Sequence, residues 1–85
     1  MESGEAWMIP TDGPAVTIER LPTLERVQSI VGGWVERVPC PGGVLYCNEE
    51  GLLKGLELNM MASYMTGRQI VGPVVIIVKD GETDE

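Results

Sequence analysis

Histidine is absent from the 85 residues, which removes the commonest general base and the commonest metal ligand. Cysteine is confined to Cys40 and Cys47, so the four Cys or His ligands of a structural zinc site cannot be assembled. The two thiols flank an expected turn, which leaves a cross-strand disulfide open if their Cα atoms approach within about 7 Å. Two reduced, partly buried thiols fit an intracellular chain better. No apolar run approaches the roughly 20 residues of a membrane span, and the opening MESGEAW carries neither a basic region nor a signal core. The expectation is a soluble cytoplasmic protein with no membrane partner. Cations are scarce, six Lys and Arg against thirteen Asp and Glu for a net charge of −7. That balance argues against nucleic-acid backbones and anionic lipid. Internal repeats and low-complexity linkers are also missing.

What is present is enough apolar content to fold, 44% hydrophobic against 22% charged residues, in a length that suits one small domain. Residues 1–5 and 80–85 are expected to be disordered ends, the latter with four acids and no base. Ala6 to Pro10 and the alternating Ala15 to Arg20 (Val16 and Ile18 on one side) read as two strands of a hairpin around Thr11-Asp12-Gly13-Pro14. Leu21-Pro22-Thr23 opens a helix whose apolar face is Leu24, Val27, Ile30 and Val31, closed by Gly32-Gly33. Trp34 to Val38 and Val44 to Asn48 form a second hairpin around residues 39–43. Leu53, Leu56, Met60 and Tyr64 then fall along one helical stripe, widened by Met61 and Met65, with Gly55 interrupting its start and Gly67 closing it. The β-branched run Val74 to Val78 is a strand covered on both faces or central to its sheet. The order is β-β-α-β-β-α-β, an α+β fold with a mainly antiparallel sheet and two helices on one face.

Few side chains suggest chemistry. Glu49-Glu50 is the obvious carboxylate pair, but neighbours on an extended chain point to opposite sides. With Asn48 they lack the alternating oxygens of a calcium loop. A capping turn is the plainer reading, Asn48 bonding its own loop with Glu49 and Glu50 near a helix N-terminus. Neither Gly32-Gly33 nor Gly42-Gly43 feeds a helix, so neither reads as a phosphate loop. Cys40 lacks an adjacent base to activate it as a nucleophile. Asn59, mid-helix among leucine and methionine, must find partners for its amide: either it clamps a nearby loop such as the Asn48–Gly51 turn, or it reads a ligand or a partner's backbone. No catalytic residue, metal site or cofactor is expected. An apolar stripe wrapping more than half of the second helix would call for cover from outside the monomer, most simply a second copy.

The strings Val31-Gly32-Gly33-Trp34-Val35-Glu36 and Tyr46-Cys47-Asn48-Glu49-Glu50-Gly51, with Asn59 downstream and Ile70-Val71-Gly72 before the last strand, resemble a small domain family of bacteriophages, plasmids and other mobile elements, catalogued as a domain of unknown function. The similarity runs from about Val16 to Val78. The resemblance implies an accessory protein acting on the host, with Glu36, Asn48, Glu49, Glu50, Gly51 and Asn59 as the patch of interest.

Three functional expectations follow. The first is a non-enzymatic protein that binds a host protein in the host cytoplasm through Glu36, Asn48, Glu49, Glu50 and Asn59, for host takeover or anti-defence. The second is a homodimer that sequesters a small molecule or nucleotide signal, with Trp34, Tyr46 or Tyr64 stacking a base and Arg26, Arg37 or Arg68 holding phosphate. The third, mimicry of DNA by acidic surface, suffers because four acids sit in the terminal segment and cations are interspersed elsewhere.

Overall fold

A computed structural model of the chain describes residues 4–79. The expectations for Met1 to Ser3 and for Asp80 to Glu85 lie outside those residues. Glu5, expected to be frayed, instead opens the first strand and pairs with Val78.

Seven elements follow one another: β1 (Glu5–Ile9), β2 (Val16–Ile18), α1 (Leu24–Val31), β3 (Val35–Cys40), β4 (Gly43–Asn48), α2 (Met60–Thr66) and β5 (Val74–Val78). The five strands form one sheet in the order β2-β1-β5-β4-β3, every pair antiparallel. β5 is central. Its Val74 and Val75 are fully buried and Ile76 nearly so, which explains why its sequence is β-branched without alternation.

The alternation of β5 decides where the helices go. Val74 and Ile76 join Leu45, Val38, Cys47 and Ile9 in a cluster closed by Ala62 of α2. Val75 belongs to a second cluster with Ala6, closed by Val27 and Val31 of α1, with Ile77 packed against it. The helices therefore lie on opposite faces of the sheet, and the expectation of two helices on one face is corrected. A central strand that is apolar at every position would otherwise leave one set of side chains in water.

α1 forms for local reasons. Thr23 accepts a hydrogen bond from the Arg26 N–H at 3.1 Å, and Gly32 ends the helix at φ 90°. Pro22 precedes the cap instead of occupying the first turn, and Leu24 stays exposed. Val16 is also exposed, because β2 is a three-residue edge strand and only Ile18 meets the α1 cluster.

The β3–β4 hairpin is tighter than residues 39–43 suggested. Cys40 pairs with Gly43, so Pro41 and Gly42 alone make the turn, with Gly42 at φ 86°. Pro39 is tolerated inside β3 for a geometric reason. The Glu49 N–H bonds the Trp34 carbonyl at 2.8 Å, so by antiparallel alternation Trp34, Glu36 and Val38 bond β4 while Val35, Arg37 and Pro39 turn their backbone outward. On a terminal strand the missing N–H of Pro39 interrupts no ladder, and it blunts the open edge.

The expected long second helix is shortened at its start. Residues 49–55 form turns, Leu58 bridges Val71, and the helix begins only at Met60. Gly55, at φ 70°, breaks the apolar periodicity. The stripe is corrected too: Met60, Met61 and Tyr64 are exposed, and α2 meets the sheet through Ala62, with Met65 packed partly against the core.

Candidate functional site

The two strings singled out in the sequence meet at one junction. Asn48 ends β4 and is buried. Its Nδ2–H donates to the Val31 carbonyl at 3.0 Å, and its Oδ1 accepts from the Glu50 N–H at 2.7 Å. The first bond satisfies a carbonyl orphaned at the end of α1; the second closes an Asx turn that reverses the chain. The Lys54 ammonium adds a longer 3.4 Å contact to the Gly32 carbonyl, placing a cation at the same helix C-terminus. Gly51 is required here, since a Cβ would lie 2.6 Å from Val71 Cγ2. The turn does not lead into a helix, so Glu49 and Glu50 face solvent from a loop and cap nothing.

Beside this turn lies a cleft of about 340 Å³ lined by Glu36, Asn48, Glu49 and Glu50, by Leu52 and Leu53, and by Arg68 and Cys47. Leu53 is 87% exposed and Leu52 64%. The Arg68 guanidinium donates to Glu36 at 3.1 Å with both side chains half exposed, an arrangement that adds little to stability. Burial pushes the Cys47 thiol up from its ordinary pKa, the Glu36 charge adds to this, and Arg68 opposes it. Burial also raises Cys40. Both thiols are free. Cys47 pairs with Glu36 and Cys40 with Gly43, so they stand four register positions apart, roughly 13 Å along the strand and beyond disulfide reach. A raised pKa keeps them protonated and poorly nucleophilic at neutral pH.

Asn59 is not part of this cleft. It is fully buried and caps α2, its Oδ1 accepting from the Ala62 N–H at 3.0 Å. Its Nδ2 donates to the Ile9 carbonyl at 3.0 Å and to the Gly72 carbonyl at 2.9 Å. The expected clamp exists, but it fastens the end of β1 and the approach to β5, not the Asn48–Gly51 turn. The mid-helix position is corrected to an N-cap. Of the expected patch, Glu36, Asn48, Glu49 and Glu50 come together and Asn59 does not; both asparagines turn inward to hold backbone.

The three aromatic candidates lie on different parts of the fold. Trp34 is 69% exposed beside Gln28 and Gly33, Tyr64 is 90% exposed on α2, and Tyr46 belongs to the α1 face. Two of the three arginines considered for phosphate are engaged: Arg26 with Glu19 at 2.8 Å and Arg68 with Glu36. The Arg26 hydrogen bond holds the Glu19 carboxyl below its usual pKa. Among the described residues no group of three or more His, Cys, Asp or Glu is placed to hold a metal, and no helix is long and apolar enough to cross a membrane. The rim formed by Leu52 and Leu53 was missed by pattern reading. Its signal is the pair of glycines, Gly51 and Gly55, that bracket too few residues for a helix.

A family model matches residues 5–85. The chain belongs to the family described as Domain of unknown function (DUF3846). No curated protein and no solved structure matches it. The DUF3846 match spans both strings that meet at Asn48, a junction whose role in this chain is to lock α1 to the end of β4.

Proposed function

We propose that this DUF3846 chain is a non-enzymatic binding protein that docks on a host protein through the cleft beside the Asn48–Gly51 turn. One observation carries the reading: Leu52 and Leu53 stand exposed on the rim of a concave surface that Glu36, Glu49 and Glu50 also line. Single exposed leucines are ordinary; two adjacent ones contiguous with a cleft and a set of carboxylates form an apolar anchor with a polar border, the anatomy of a protein contact. The partner surface is apolar at its centre and basic at its edge, by charge complementarity. The likeness to domains of phages and other mobile elements supports a role as an accessory protein in the host cytoplasm, in host takeover or anti-defence.

The test is co-purification from bacterial host lysate with tagged wild-type protein and the L53D variant. Leu53 is too exposed for the substitution to disturb folding. A specific partner retained by the wild type and weakened at least about tenfold by L53D is expected. A partner held equally by both proteins, or no specific partner, overturns the reading.

A further inference from the structure

The α1 face of the sheet is only partly covered by its helix. α1 packs on Val75, Ala6, Tyr46 and Ile77 and leaves the end nearest the β3–β4 turn open. Two adjoining hollows there, of about 170 and 240 Å³, share Tyr46 and Ile77 in their walls and together make up a groove. Its floor is Val44, Tyr46 and Ile77, with Leu21 and Leu24 at the sides.

The groove differs from the rest of this acidic protein in its charge. Arg37 of β3 and Lys79, just past β5, both line the larger hollow, and no carboxylate does among the described residues. Arg26 and Arg68 each hold a carboxylate within 3.1 Å, whereas no such ion pair is made by Arg37 or Lys79 among the described residues. The antiparallel register accounts for the arrangement: Arg37 pairs with Tyr46, and the Lys79 N–H bonds the Gly42 carbonyl. Arg37, Tyr46, Val44 and Lys79 therefore share the α1 face on three neighbouring strands.

One wall is also strained. Leu21 is the single non-glycine residue at positive φ, 46°, among the described residues. Its N–H is tied to the Gly4 carbonyl at 2.9 Å, and a Cβ on Gly4 would lie 2.7 Å from Leu21 Cγ. The backbone that carries this exposed leucine into the groove wall is thus held in an unfavourable conformation by its surroundings, a pattern that concentrates at binding sites.

We propose that this groove binds a small amphipathic organic anion, an aromatic or aliphatic body seated on Tyr46, Val44 and Ile77 with its phosphate or carboxylate held by Arg37 and Lys79. The apolar floor supplies contact area, and the guanidinium and ammonium supply charge-assisted hydrogen bonds. The site lies on the opposite face from the cleft lined by Glu36 and Cys47, needs no second copy, and stands or falls independently of the docking reading.

The experiment follows amide chemical shifts of the full chain during titration with phenyl phosphate, inorganic phosphate and benzyl alcohol. Phenyl phosphate is expected to saturate, with shifts centred on Arg37, Tyr46, Ile77 and Lys79, and to bind more tightly than either fragment. R37Q and K79Q are each expected to weaken it roughly tenfold, and Y46L to weaken it while leaving the spectrum folded. Failure of phenyl phosphate to saturate, equal affinity for inorganic phosphate, shifts centred elsewhere, or unchanged affinity in R37Q overturns the proposal.

Discussion

The two faces of the central sheet are closed by different physics. On one, α1 lays Val27 and Val31 onto Val75 and Ala6, and apolar burial does most of the fastening, with the single Asn48 bond to the Val31 carbonyl at its end. On the other, the seven-residue α2 buries Ala62 alone, and hydrogen bonds hold the segment in place. Asn59 bonds Ile9, Gly72 and Ala62, and the Ser63 hydroxyl donates to the Ile70 carbonyl and accepts from the Ile70 N–H. The difference teaches that a helix too short to bury much surface can still close a core if one buried amide satisfies the backbone of its neighbours. It also explains the exposed outer side of α2: Met60 and Tyr64 are not needed for docking to the sheet.

The comparison can be broken most severely at Asn59. N59A removes the cap of α2 and leaves two carbonyls without their donor, so a loss of about 4 kcal/mol in urea unfolding is expected. That is a large share of a small domain's stability. On the opposite face, V27A deletes only apolar contacts and should cost about 2 kcal/mol. A V27A loss equal to or larger than that of N59A would show that the two faces are closed by the same means. The smallest effect is in alkali. The Cys47 thiol has a raised pKa in the folded chain, while the unfolded thiol ionises near about 8.5. The unfolded state therefore releases its proton first, and the stability present below that pH is lost as pH rises through the folded pKa. Thermal unfolding across that range should show a decline that is shallower in C47A.

Much of this architecture is legible locally. Thr23 and Gly32 bracket α1, the β-branched run marks β5 as covered on both sides, and the strand-helix order survives intact. The segment from Gly51 to Asn59 misleads, because Leu53, Leu56 and Met60 keep helical spacing although the chain between them turns at Gly55. Asn59 reads as a mid-helix anomaly until Ile9, 50 residues away, appears as its acceptor. The site divides in the same way. Glu36 and Glu49 were legible as candidates, but nothing in their spacing shows that Leu52 and Leu53 share their cleft, or that Asn48 and Asn59 spend their amides on backbone.

Caps, turn residues and hydrophobic period are properties of a few neighbouring residues, and the sequence alone determined them: seven elements, their order and a last strand apolar at every position. Strand order, the placing of α1 and α2 on opposite faces, and the inward turn of the two asparagines were decided only by tertiary structure. Each depends on pairing between residues far apart in the chain, where burial and hydrogen-bond satisfaction select one arrangement from many that local propensity allows equally.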